Sequence, residues 1–301
     1  MRRAWPGAAN IILFMERQII EIAAVPKGTA DPACIAALEA GKVLYFPAPG
    51  FAPRPEEARL FTPAIRDPHS RNISLDAVGR LKGAAGDAPT QAALAAMILR
   101  FRAQAHALLA ALFPRYTLSL RCGAASFRPM LVETRAQSWR ADDRRLHVDA
   151  FPSRPNRGER LLRVFANVNP DGVARVWRVG EPFEQVAQRF LPRMKRYSPW
   201  RAKGLQALGV TKSLRTEYDH LMLQLHDAMK SDLQYQQDAP QVEFAFPSGA
   251  TWVCFSDQAS HAAMSGQYLL EQTMQLPPGR QYDTTASPLA ILSRLTGRVL
   301  V

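Results

Sequence analysis

Three cysteines in 301 residues are too few and too scattered to form a disulfide framework. Cys34, Cys122 and Cys254 sit in apolar or strand-like surroundings, so they read as reduced, buried thiols of a cytoplasmic protein and not as a zinc site. No window reaches the roughly 20 consecutive apolar residues that a membrane-spanning helix needs. The run Ile11-Ile12-Leu13-Phe14 behind Met1-Arg2-Arg3 is short, follows Asn10, lacks a small-residue cleavage site and leads directly into Glu16 and Arg17. No export signal is therefore expected, and Met15 is an alternative start. Repeats, low-complexity tracts and linkers are missing as well, because the 23 prolines and 17 glycines are dispersed. A single domain over residues 1–301 is the expectation.

Acidic charge is also scarce: 26 Asp and Glu face 38 Lys and Arg, a formal net charge of +12. The surplus is concentrated between Arg115 and Arg201, with 18 basic against 8 acidic residues. Such a stretch suits an anionic partner, whether nucleic acid, a phosphorylated lipid surface or an acidic sugar, although a merely basic surface gives the same count. With no nucleic-acid motif and no basic stripe interleaved with aromatics, nucleic acid is the least expected partner.

The apolar pattern divides the chain. Asp31-Pro32 up to Gly41 predicts a short capped helix, Val43–Phe46 a buried strand, and the recurrence of Leu94, Met97, Ile98, Phe101, Ala105, Leu108, Leu109 and Leu112 a long helix ended by Pro114. Residues 1–114 thus read as a mainly helical N-terminal part. Strand-like segments fill 115–180 and 240–278, and helical spacing fills 181–236, with Pro192 as a kink or early end. Within Arg160–Asn169, Arg163, Phe165, Asn167 and Asn169 share one face and Leu162, Val164, Ala166 and Val168 the other. The architecture expected is α+β: one antiparallel barrel or jelly roll completed by both halves around a helical insertion.

The segment Leu146-His147-Val148-Asp149-Ala150 carries the chemistry. Alternation along an extended strand puts His147 and Asp149 on one side and Val148 on the other. A second imidazole, His261 in Ser256-Asp257-Gln258-Ala259-Ser260-His261, completes two histidines and one carboxylate, the set that holds non-haem Fe(II) with open coordination positions. Taken alone, His-x-Asp also fits a histidine merely oriented by a carboxylate. A zinc hydrolase could use the same ligands, but no positioned general base is evident. His106 reads as a packed or surface residue of the long helix, and His220 and His226, six apart, fall on different helix faces.

Four segments go further: His147-Val148-Asp149-Ala150-Phe151-Pro152-Ser153-Arg154-Pro155, Arg163 through Pro170, Arg175 through Phe183, and Ser256 through His261. Together they resemble the bacterial Kdo (3-deoxy-D-manno-oct-2-ulosonic acid) hydroxylases, with likeness running from about Gly41 through Leu276. The resemblance implies a double-stranded β-helix core, Fe(II) and 2-oxoglutarate dependence with O2 consumed, and hydroxylation of Kdo at C3 on a Kdo-bearing lipid A precursor. It also implies His147, Asp149 and His261 as metal ligands, and a peripheral position on the inner membrane. A basic residue some ten positions past the distal histidine is common in the wider superfamily, but Glu271, Gln272 and Thr273 stand there instead. The clamp for 2-oxoglutarate is accordingly expected from Arg163, beside Asn167 on its strand face, or Arg175 beside Trp177. Arg128, Arg140, Arg144, Arg154 and Arg157 are the candidates for sugar carboxylate or phosphate. Two other readings stay open: an oxygenase of the same scaffold acting on another acidic substrate, and a non-catalytic basic module that binds nucleic acid or phospholipid.

Overall fold

The computed structural model describes residues 18–23, 31–47, 50–133 and 137–301. The export-signal and start-site readings fall on residues 1–17, outside that set.

Strands β1 (Ile19–Glu21), β2 (Val43–Phe46), β3 (Ile73–Leu75), β4 (Leu81–Lys82), β5 (Arg121–Arg128), β6 (Arg160–Asn167), β7 (Arg175–Gly180), β8 (Gln241–Phe246), β9 (Thr251–Phe255), β10 (His261–Ser265) and β11 (Leu269–Leu276) form two sheets. The larger has the order β1-β2-β9-β6-β11-β5-β3-β4 and the smaller β10-β7-β8. Except for the parallel β1–β2 pair, neighbouring strands are antiparallel. The two sheets face each other as the expected double-stranded β-helix. Although helical residues predominate before residue 115, that part also supplies β1 to β4 to one sheet, so it is continuous with the core.

Four layers result, with a core between each adjacent pair. Helix α1 (Pro32–Glu39) is capped by Asp31, whose carboxylate accepts the Ala33 amide at 2.8 Å. Helix α2 (Ala88–Leu112) is capped in the same way by Asp87 and followed by a single turn, α3 (Pro114–Thr117). The apolar stripe of α2 packs on the outer face of the large sheet, against Leu162, Val164, Ala166 and Val168 of the β6 segment. Between the sheets lie Phe165, Trp177, Phe246 and Trp252, with the Phe246 and Trp252 rings stacked at 4.1 Å. The insertion forms the outer layer on the small sheet: α4 (Phe183–Phe190), α5 (Pro199–Ala207), α6 (Glu217–Ser231) and α7 (Leu233–Asp238). As Pro192 implies, α4 ends at Phe190 and passes into a 3-10 turn. A C-terminal helix that the sequence pattern did not show, α8 (Pro288–Thr296), adds Ile291 and Leu292 to this layer.

Both faces of β6 are buried, so its polar residues look into the space between the sheets and not at solvent. Cys34 and Cys254 are buried and all three cysteines are free; burial first, then Asp31, pushes the Cys34 thiol up to about 11. Among the described residues, no helix is long and apolar enough to cross a membrane.

Candidate metal centre

Leu146–Ala150 is extended but joins no regular strand. His147 alone pairs with His261, through amide-to-carbonyl bonds of 3.0 and 2.9 Å, and the Asp149 amide donates to the Ser256 carbonyl at 2.8 Å. One residue earlier the ladder is replaced by a side chain. The Leu146 amide donates to Gln236 Oε1 at 2.7 Å, and Gln236 Nε2 donates to the Leu146 carbonyl at 3.0 Å. A glutamine of α7 thus stands in for a neighbouring strand. The alternation survives: Leu146 and Val148 enter the core under the helical insertion, while His147 and Asp149 face between the sheets.

His147, Asp149 and His261 converge so that one ligand atom from each lies within 4.8 Å of the others. Each histidine is oriented through Nδ1, held 2.7 Å from the Arg145 carbonyl for His147 and 2.8 Å from the Ala259 carbonyl for His261. With Nδ1 donating, each Nε2 keeps its lone pair for a metal. Burial first, then the neighbouring His261 imidazole, holds His147 well below its ordinary value, and burial also lowers His261. Both are neutral ligands. Burial alone would raise the Asp149 carboxyl, but the Arg163 guanidinium, the strongest opposing influence, overcomes it and keeps the group ionised. Two neutral imidazoles and one anionic carboxylate on one side of a cavity fit an Fe(II) ion. Asp149 Oδ2 makes an ion pair but no hydrogen bond of good geometry, and so keeps acceptor capacity for such an ion.

Charge is organised in a chain behind the ligands. Arg163 reaches Asp149 at 3.2 Å and Glu271 at 3.1 Å; Glu271 also pairs with Arg128, and Arg128 lies 3.8 Å from Asp143, which meets Arg71 at 2.9 Å. Trp177 stacks on His261, ring centres 5.0 Å apart. The cavity, about 180 Å³, is walled by these groups together with Arg175 and the apolar Phe165, Ala263 and Leu269. Four arginines converge on it: Arg71, Arg128, Arg163 and Arg175.

A family model described as 3-deoxy-D-manno-oct-2-ulosonic acid (Kdo) hydroxylase matches residues 22–299. The chain belongs to the Kdo hydroxylase family. The crystal structure of the Kdo hydroxylase KdoO, a non-heme Fe(II) α-ketoglutarate-dependent dioxygenase in complex with α-ketoglutarate and Fe(III), is similar at 42% identity and TM-score 0.89, covering 94% of this chain and 97% of that one. Its cobalt(II) complex gives 41% and 0.90 over the same shares. No curated protein sequence matches this chain.

His147, Asp149, His261, Arg128, Arg163, Arg175 and Trp177 all line the one cavity. Asn167 does not. Its amide donates to the Val173 and Phe246 carbonyls at 2.9 and 3.1 Å, which corrects its assignment to the cosubstrate. It shares a face with Arg163 but lies farther along β6, where the strand leaves the sheet. Arg140 pairs with Asp227 at 3.1 Å and lines a different cavity, Arg144 turns to Asp142 at 3.0 Å, and Arg154 and Arg157 are exposed beyond Asp149. Arg71, Asn72 and Asp143 line the metal cavity without having been singled out, since only the packing of their loops on the sheet edge brings them there. Nor did helix spacing show that the His226 ring packs edge-on against His147, centres 5.5 Å apart, with Nδ1 3.0 Å from Asp227.

Proposed function

We propose that this chain hydroxylates Kdo at C3 on a Kdo-bearing lipid A precursor, with Fe(II) held by His147, Asp149 and His261, 2-oxoglutarate as cosubstrate and O2 as oxidant. The reading is carried by one observation: three ligands of the right type share a buried cavity with four arginines. Bound iron with 2-oxoglutarate and O2 supplies the oxidation that replaces a C–H by a C–OH bond.

The residues divide the remaining work. His147 and His261 are presented as neutral ligands by the carbonyls of Arg145 and Ala259, and Asp149 is held in place by Arg163. Both terminal nitrogens of Arg163 are committed to carboxylates, so the clamp for the distal carboxylate of 2-oxoglutarate is assigned to Arg175, which lines the same cavity and is itself steadied by donating Nη1 to the Gly266 carbonyl at 2.9 Å. Trp177, two residues along the same strand, forms the wall between that clamp and His261. Arg128, paired with Glu271, and Arg71, paired with Asp143, line the same cavity and add positive charge for the sugar carboxylate. Phe165, Ala263 and Leu269 give the cavity an apolar portion of wall, which disfavours water beside the ligand set. A basic surface suits peripheral contact with the anionic inner leaflet.

The test is direct. Purified protein is expected to release succinate only with Fe(II) and O2, and to add one oxygen to Kdo as read by mass spectrometry of the glycolipid. His147→Ala should abolish both, whereas full turnover in that variant would remove the ligand set from the argument. Succinate release with an unmodified glycolipid and an oxidised alternative acid would redirect the substrate and leave the scaffold chemistry intact.

A further inference from the structure

A second cavity, about 620 Å³, opens in the helical layer and is larger than the one at the metal ligands. Its lining includes Arg140, Arg193, Lys195, Arg196, Arg201 and Arg215, against one carboxylate, Asp227. Two of these cations are already matched, Arg140 by Asp227 at 3.1 Å and Arg193 by Asp232 at 3.2 Å. Among the described residues Lys195, Arg196, Arg201 and Arg215 make no ion pair.

The loop that carries Lys195 and Arg196 is pinned. The Lys195 amide donates to Gln224 Oε1 at 2.8 Å, the Lys195 carbonyl faces His220 Nε2 at 2.9 Å and accepts from Gln224 Nε2 at 3.0 Å, and Tyr197 Oη donates to the Arg215 carbonyl at 2.7 Å. Holding like charges together costs free energy unless an anion offsets them.

This cavity shares a wall with the metal centre. Asp227 and Ala228 of α6 line it, while the preceding residue, His226, packs its ring on His147. Arg215 also donates to the Pro152 carbonyl at 2.7 Å, tying the basic wall to the segment that follows Asp149. Beside it, α5 and the turn after it present Trp200, 82% exposed, and Leu208, 80% exposed, with Lys203 against the Trp200 ring. An indole flanked by basic residues and next to bare aliphatic side chains matches the boundary between headgroups and acyl chains.

We infer that this cavity is a phosphate subsite for the lipid-linked substrate: Lys195, Arg196, Arg201 and Arg215 take a phosphoryl group of the glycolipid while its sugar enters the metal cavity. Trp200 and Leu208 meet the surface from which the glycolipid protrudes. The inference rests on the reading of the substrate as lipid-linked Kdo, and its test uses binding as well as turnover.

The variant is Lys195→Ala/Arg196→Ala/Arg201→Ala, three exposed side chains outside the metal cavity. The probes are phosphatidylcholine vesicles carrying Kdo-linked lipid A with its phosphates intact, the same glycolipid with phosphates removed, and phosphatidylglycerol in place of the glycolipid. The native chain is expected to bind the phosphate-bearing vesicles more tightly than the dephosphorylated ones, by on the order of 100-fold for three basic contacts. The variant should bind both alike, with 2-oxoglutarate affinity and Kdo-independent succinate release unchanged. Equal binding of intact and dephosphorylated glycolipid by the native chain overturns the subsite. So does equally tight binding to phosphatidylglycerol, which assigns the charge to bulk lipid, or loss of duplex DNA binding in the variant with vesicle binding unchanged. A phosphate preference without any hydroxylated product leaves the subsite standing and removes the proposed reaction instead.

Discussion

Arg163 is the residue on which the metal cavity depends most. It is buried, its charge is sustained by Asp149 and Glu271 despite burial, and it lies between a metal ligand and the position where the wider superfamily commonly carries a base. Replacing it takes the cation from buried Asp149 and leaves Glu271 with Arg128 alone, so Arg163→Met is expected to lower stability by about 3–5 kcal/mol in thermal or denaturant unfolding. Glu271→Gln in the same background should recover part of that loss; no recovery would mean the stranded charge is not the cause. Arg175 tests differently, because it is assigned to the cosubstrate. Arg175→Ala should raise the KM for 2-oxoglutarate roughly tenfold or more, the worth of a charge-assisted pair, with iron affinity retained. An unchanged KM moves the clamp to Arg128 or Arg163. Both candidates line the cavity; Arg163 was reached through its strand face and Arg175 through its neighbour Trp177. Alternation does not fix how far along the strand a group sits, and this is why Asn167 was assigned to the cavity and is instead engaged by the Val173 and Phe246 carbonyls.

The helical insertion explains itself at the level of elements. Apolar spacing marked residues 181–236 as helical, but not the purpose of these helices, which depends on where α7 lands. Gln236 completes an edge that has no neighbouring strand, satisfying the Leu146 amide and carbonyl at once, and a third bond goes to the Met229 carbonyl at 2.8 Å. No periodicity marks a glutamine for that task. Gln236→Leu is expected to take this partner from three buried backbone groups, the Leu146 amide and carbonyl and the Met229 carbonyl, at about 1–3 kcal/mol each. Since the loss falls next to His147, iron affinity should drop by about ten- to a hundredfold, as for other outer-shell contacts, and the Leu146 amide should exchange faster. Unchanged exchange at Leu146 would show that the edge holds without the side chain. Gly180 is constrained by the same packing: a Cβ there would sit 2.7 Å from Ser260 Oγ, next to His261, so this crossing of β7 leaves no room for a larger residue.

At the scale of the whole molecule, the fold was legible where apolar spacing and breaker residues define an element locally and opaque where parts of the chain far apart in sequence meet. The strands of the later segments, the long helix α2 and the break at Pro192 follow from local pattern. The strands β1, β3 and β4, the helix α8 and the arrival of Arg71 and Asp143 at the cavity do not, because each is fixed by its partner. The bridge between His147 and His261 is the extreme case. Only two backbone hydrogen bonds join these residues directly, across the whole helical insertion. An ion seated on both imidazoles and Asp149 would cross-link a very long loop, and closing such a loop carries a large entropic penalty for the unfolding chain once it is fastened. Stripping the protein with a chelator is therefore expected to speed unfolding markedly, and adding Fe(II) without oxygen to slow it again, as read by the unfolding rate after a denaturant jump. Equal rates with and without metal would refute this. A site that ties together segments on both sides of the insertion makes the persistence of the folded chain a function of metal supply, so scarcity of iron would act on the protein's lifetime as well as on its chemistry.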